Sequence, residues 1–419
     1  MFLPNPRPFA RCAAPVLVLM FSTIASAQTQ ATRSSMPPLP QPSDFVGAPT
    51  SRLSSDTPKQ MGMFGTEIGQ YEIEGRTYLL VGQSRGISVF TRDEEGVLKQ
   101  VQFISPPERC TNPGTFGTSF SLDGDRLFVR PTVIDASAAV HVYRREGMKW
   151  TPHQDITVSD IPTEGATLGR KVSSGEGVLA IHGRGDVHLF TRGSDGRHAF
   201  SQTLSGKGDS EFEKTRFGKS FAISGDTLVI SSFRAPRLNE CIDVFQRSPN
   251  GIWSHRQRIS PPHREFGVWF GHALALEGDT LVASSPRWKN SRGSVDVFKV
   301  DASGDWVHSQ SLGVFPDSLS SFGTGLRLEG DVLLVLASMP KVPGSAYLFR
   351  RGGEGLFKRD SMFGLASAEE SRSGFGASGS ISTCGERIMV GAPLSSSDGT
   401  GRAGAVLMYA NPTEVSGEN

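Results

Sequence analysis

Phe217-Gly218-Lys219-Ser220-Phe221-Ala222-Ile223-Ser224-Gly225-Asp226-Thr227-Leu228-Val229-Ile230 is the stretch that decides the fold. It runs from a Phe-Gly pair through alternating apolar residues to Gly-Asp, and then into a β-branched run. Alternation, a glycine turn and β-branched residues read as a β-hairpin, with glycine supplying the positive φ of a tight turn. The same grammar returns at Phe270-Gly271. Working outward, the pair stands at Phe64-Gly65, Phe116-Gly117, Phe322-Gly323 and Phe375-Gly376, with Leu168-Gly169 as one degenerate copy. The successive gaps are 52, 52, 49, 53, 52 and 53 residues. Self-similarity at a fixed period sets the architecture ahead of any local reading.

Each repeat continues with a third strand that ends on an aromatic: Phe90, Tyr143, Phe190, Phe245, Phe298, Phe349 and Tyr409. A fourth opens on a large apolar residue: Leu98, Trp150, Phe200, Trp253, Trp306 and Phe357. Four short strands per unit without helical periodicity describe a propeller blade. The expected fold is therefore all-β, a seven-bladed β-propeller of four-stranded antiparallel blades over residues 61–411, with a tail at 412–419. The seventh repeat stops at Asn411-Pro412 and lacks a fourth strand. An open edge is an aggregation hazard, so residues 43–60 are expected to close the ring beside the strand ending in Tyr409.

Composition sets the setting. The formal net charge of +1 implies neither a nucleic-acid nor a membrane partner. Residues 1–27 read as a secretion signal: Arg7 and Arg11, an apolar stretch from Cys12 to Ile24, and an Ala25-Ser26-Ala27 cleavage site. The apolar stretch is too short for a membrane span, so the protein is expected in the periplasm or outside the cell. Residues 28–42, rich in Pro, Ser, Thr and Gln, read as a flexible linker. Three cysteines remain after the leader, Cys110, Cys241 and Cys384, and an odd number leaves at least one free thiol.

The Phe-Gly pairs, the Gly-Asp turns and the third-strand aromatics resemble the FG-GAP repeat family, known from the head of integrin α chains. The seventh repeat also spells Gly391-Ala392-Pro393. The resemblance implies a β-propeller and, in integrin-type repeats, a calcium loop in the first hairpin. Here that turn has shrunk to Leu122-Asp123-Gly124-Asp125 or Leu276-Glu277-Gly278-Asp279. Calcium takes six to eight oxygen ligands, which one or two carboxylates cannot supply. No metal and no cofactor is expected, and Asp is read as tying down its own turn.

Nucleophile elbows, zinc-protease helices, phosphate loops and paired Cys-x-x-Cys are absent. Arg184-Gly185-Asp186 spells an adhesion tripeptide, but a glycine turn explains it without a partner. His141 and His188 sit at alternating strand positions and are expected at the rim or surface. The signal that the repeat does not explain is a basic bias in the loops between second and third strands. It concentrates in Arg234, Arg237, Arg287, Trp288, Lys289 and Arg292 of the fourth and fifth repeats. A loop Trp flanked by Arg forks suits a protein or an anionic glycan. The leading expectation is therefore a non-enzymatic binding or adhesion propeller facing a protein or surface polysaccharide. The alternatives are a secreted hydrolase or lyase with a site near the propeller axis, and a scaffold of an envelope assembly. Propellers host all of these.

Overall fold

A computed structural model describes residues 49, 51–55, 62–110, 112–130, 139–169, 171–206, 217–234, 239–263, 265, 267–313, 321–338, 344–364, 375, 381–384, 387–396 and 403–410. The leader, the linker and the C-terminal tail lie outside them. So do Arg237 and the side chains of Arg234 and Cys384. Among the described residues, no helix is long and apolar enough to cross a membrane.

The chain forms seven four-stranded antiparallel sheets, the blades of a β-propeller. In blade four, Phe217–Ser224, Thr227–Arg234, Asn239–Arg247 and Trp253–Ile259 pair in chain order. Blade seven is assembled differently. Its fourth place is taken by Ser51–Leu53, paired antiparallel with Ala405–Ala410 through Ser51↔Met408 and Leu53↔Val406. Arg52 also reaches Ser395 Oγ at 2.7 Å and the Ser396 carbonyl.

The recurring residues are the joints of the ring. The period Phe meets the third-strand aromatic of its own blade edge-on: Phe64–Phe90 at 6.0 Å, Phe116–Tyr143 at 6.4 Å, Phe217–Phe245 at 6.3 Å and Phe270–Phe298 at 6.1 Å. Phe322–Phe349 and Phe375–Tyr409 repeat the contact at 6.0 and 6.4 Å. Its backbone meets the preceding blade. Phe322 N donates to Arg292 O, and a Cβ on Gly293 would stand 2.2 Å from the Phe322 carbonyl oxygen. Only glycine allows that approach. The core is thus a set of clusters between neighbouring blades, such as Leu80, Val89, Phe116, Leu127 and Trp150.

A second joint lies at the outer edge. Gln257 Nε2 donates to Trp306 O at 2.9 Å while Trp306 N donates back to Gln257 Oε1 at 2.7 Å. Gln102 holds Trp150, Gln154 holds His198, Gln202 holds Trp253 and Gln310 holds Phe357 in the same reciprocal way. These pairs identify the opener of the third blade's fourth strand as His198, not Phe200. Phe200 instead packs edge-on to Phe190 at 5.8 Å. His255 and His308 meet Phe245 and Phe298 from the same fourth-strand position, both at 5.5 Å.

The Gly-Asp turns also do more than close on themselves. The Asp backbone carbonyl accepts from the third strand, as in Arg247 N to Asp226 O at 2.8 Å and Arg351 N to Asp331 O at 2.8 Å. The carboxylate meets the basic side chain there, as in Arg247–Asp226 at 2.6 Å and Lys299–Asp279 at 3.0 Å. Cys110 and Cys241 are buried and outside any disulfide among the described residues.

Candidate active site at the axial channel

The inner strands line a cavity of about 820 Å³ on the propeller axis, with walls from blades one to six. Each inner strand follows its Phe-Gly mark, so the residues two and three places after the mark stand at one end of this channel. Glu67, Lys171, His272 and Thr324 line it there. Lys219 and Ser220 hold the matching positions in blade four.

Lys171 is the centre of the group. Its Nζ is 3.0 Å from Ser220 Oγ and 5.8 Å from the centroid of Phe221. Removal from bulk water lowers the ammonium pKa, and the charge of Glu67 opposes this in part. Ser220 is fully buried, and its backbone N–H donates to Ser231 Oγ at 2.9 Å, which anchors its backbone. Behind them lies Arg130, also fully buried, whose Nη2 donates to Leu168 O at 2.8 Å.

Two imidazoles complete the mouth. His182 donates its backbone N–H to Lys171 O at 3.0 Å. Its Nε2 is buried without a hydrogen-bond partner. Burial, followed by the charges of Arg130 and its neighbours, pulls its pKa down to about 4. His272 is open to the channel, and its ring stacks on Trp269 at 5.5 Å and 21°. Desolvation in the mouth, then Lys171, Lys219 and Arg287, holds its pKa below the usual imidazole value. Both rings are therefore neutral at pH 7, and a neutral imidazole is a proton acceptor.

A supporting layer orients His272. Glu240 is buried at 3 % exposure, and its carboxylate accepts from Trp269 N and Phe270 N, both at 2.9 Å. Burial pushes this carboxyl's pKa up. Trp269 itself stands at φ +63°, a left-handed conformation that costs a non-glycine residue on the order of 1–3 kcal/mol. The two hydrogen bonds to Glu240 hold it there. Arg287 lies 3.6 Å over the Trp269 ring.

The loop residues singled out from sequence are placed as follows. Arg287 packs on Trp269 and so joins the edge of the channel mouth. Trp288 is 5 % exposed and stacks on His263 at 4.4 Å, with Lys289 Nζ 4.3 Å from its ring. Arg292 gives its carbonyl to Phe322 N at 3.1 Å. Arg234 ends a strand, and Arg237 lies outside the described residues. The structure therefore brings Arg287 toward the axis and turns the Trp288 ring into the blade. His141 and His188 are buried, not at the surface, with Nδ1 atoms 3.0 Å from Asp155 and Thr203.

Sequence reasoning missed Glu67, Lys171, Lys219, Ser220 and His182, and it found no role for His272. A signal was available in the places after the mark. They read Thr66-Glu67, Thr118-Ser119, Lys219-Ser220, His272-Ala273 and Thr324-Gly325. The mark repeats, but the residues after it do not.

No family model matches the chain, and no curated protein matches it in sequence. Solved structures do match in fold. A Bacteroides uniformis protein provisionally named a 6-phosphogluconolactonase aligns at TM-score 0.52 and 15 % identity over 80 % of this chain and 92 % of that one. The periplasmic gluconolactonase of Pseudomonas aeruginosa aligns at 0.51 and 15 % over 80 % and 99 %. A Lactobacillus plantarum protein aligns at 0.51 and 14 % over 78 % and 95 %. Two of these three are named as lactonases, which are enzymes. This finding overturns the expectation of a non-enzymatic binding or adhesion module, and the hydrolase alternative fits better.

Proposed function

We propose that the protein is an exported hydrolase that opens a cyclic ester, a sugar-derived lactone, at the mouth of its axial channel. The observation that carries the reading is that the imidazole of His272 and the side chain of Lys171 line one axial cavity. Ester hydrolysis needs a base to take a proton from water and a positive group to face the oxyanion that forms. His272 has the character of the first and Lys171 of the second. Water attacks the carbonyl carbon as His272 takes its proton. The tetrahedral oxyanion faces Lys171, the ring C–O bond then breaks, and the alkoxide leaving oxygen takes up the proton. A cavity of about 820 Å³ is of a size that takes a sugar.

The two lactonase names support the reaction class. At 15 % identity the likeness itself is one of fold, so the argument for chemistry rests on the residues. Export is supported by the leader-like residues 1–27 and by the periplasmic setting of the Pseudomonas protein. We also hold the repeats to be of FG-GAP type, on the strength of their Phe-Gly period. The test is acid release in a pH-stat from glucono-δ-lactone and related aldonolactones with the mature protein. A rate well above spontaneous opening supports the reading, and none across the panel refutes it.

A further inference from the structure

We propose that the channel mouth binds an anionic group, a phosphate or a carboxylate carried on a sugar-sized molecule, through Lys171 and Lys219 with Arg130 behind them. As a statement about substrate this rests on the hydrolytic reading above. As a binding site it stands on the following residues.

The cations come from three consecutive blades: Lys171 lines the cavity, Lys219 holds the matching register of the next blade, and Arg130 stands against the mark that precedes Lys171. Arg130 follows the second strand of blade two, and its guanidinium is fixed against Leu168, the period residue of blade three. Lys171 lines the cavity three places after that mark. Lys219 stands two places after Phe217, the register that His272 and Thr324 occupy on the cavity wall. It is exposed between the buried Gly218 and Ser220. Its placement at the mouth is supported independently, because its charge bears on His182 and His272 together with that of Lys171.

The described carboxylates on the cavity wall are Glu67 and Glu72. Glu72 pairs with Thr77 next to the hairpin turn, toward the other end of the inner strand. Gln70 and Glu329 meet across the channel there at 3.3 Å. Glu67 is the described wall acid at the mouth end, and the buried Glu240 stands behind Trp269. Clustered cations raise the positive potential of a low-dielectric cleft, and such a field concentrates anions. Burial is the first cause of the lowered pKa values of His182 and His272, and the charges of Lys171 and Lys219 add to it. Lysines serve as point charges for phosphate and carboxylate alike. The ring encloses the site, so the anion belongs to a small molecule. A neutral sugar would leave this charge without use.

The experiment is calorimetric titration of the mature protein with 6-phosphogluconate, gluconate, inorganic phosphate and glucose at two salt concentrations. It is run alongside lactone opening for the phosphorylated and neutral substrates. Binding is expected for the three anions, weaker at high salt, and not for glucose. Lys219→Met, at an exposed position, should weaken it about tenfold or more, Lys219→Glu should abolish it, and Lys219→Arg should retain it. Equal binding by Lys219→Glu and the parent, or no anion binding, overturns the proposal. Neutral lactones opened as fast as phosphorylated ones, with no anion bound in the titration, would sink the anion site and leave hydrolysis standing. Anion binding without any lactone opening would do the reverse.

Discussion

Replacing Gln257 with Met tests how the blades are held together. The change keeps the length of the side chain and removes both halves of the reciprocal clamp, Nε2 to Trp306 O at 2.9 Å and Trp306 N to Oε1 at 2.7 Å. An ordinary internal hydrogen bond contributes about 1 kcal/mol net, and a buried group left without a partner costs about 1–3 kcal/mol. Trp306 is 5 % exposed, so water reaches its backbone poorly. The expected loss is about 2–4 kcal/mol, read from urea unfolding by Trp fluorescence and circular dichroism. Gln102→Met, at a separate blade junction, should lose a similar amount, and the double variant should show the sum because the sites share no partner. A loss below about 0.5 kcal/mol in either single variant would refute the view that these glutamines join the ring.

Three other outcomes follow from the structure. His198 is 3 % exposed, neither ring nitrogen has a partner, and burial pulls its pKa from 6.5 to about 4. Its folded pKa lies below its unfolded one, so stability is full above pH 6.5 and falls between there and pH 4, by at most about 3.5 kcal/mol at roughly 1.4 kcal/mol per unit. His198→Phe should flatten that part of a urea midpoint against pH curve, and an unchanged slope would contradict it. Removal of residues 43–60 takes away the strand paired with Ala405–Ala410. Size-exclusion chromatography should then show aggregation and scanning calorimetry a lower Tm, whereas a monomer of unchanged Tm would speak against closure by this strand. Leu168 is fully buried, so Leu168→Phe overpacks its junction and should destabilise by about 1–3 kcal/mol, read from the urea midpoint. A midpoint equal to the parent's would show that the junction has room for the period Phe.

The ring was legible in the sequence because its joints are hydrophobic and periodic. Phe64, Phe116, Phe217, Phe270, Phe322 and Phe375 recur since each performs the same packing against its third-strand aromatic. The exception was legible only in part: Leu168 stood out, but His198 as the strand opener of its blade needed the register. Strand alternation misplaced His141 and His188 for a general reason. Both faces of a blade are covered by its neighbours, so period two does not separate inside from outside as it does in a one-sided sheet. The candidate site was hidden for a different reason. Lys171, Lys219 and His272 are single residues about fifty positions apart. Only ring closure brings them to one cavity, and each alone reads as a solvated side chain. The loop bias toward Arg287 had a different basis, and the residue reaches the mouth only through Trp269.

The central claim is that His272 and Lys171 act on a substrate at the channel mouth. The most direct measurement is kcat and KM of the mature protein and of His272→Gln on the aldonolactone it opens fastest. The account predicts a fall in kcat of about a hundredfold or more with the replacement, little change in KM, and an unaltered unfolding midpoint. A variant that keeps the parent's kcat would contradict it and move the chemistry away from the axis.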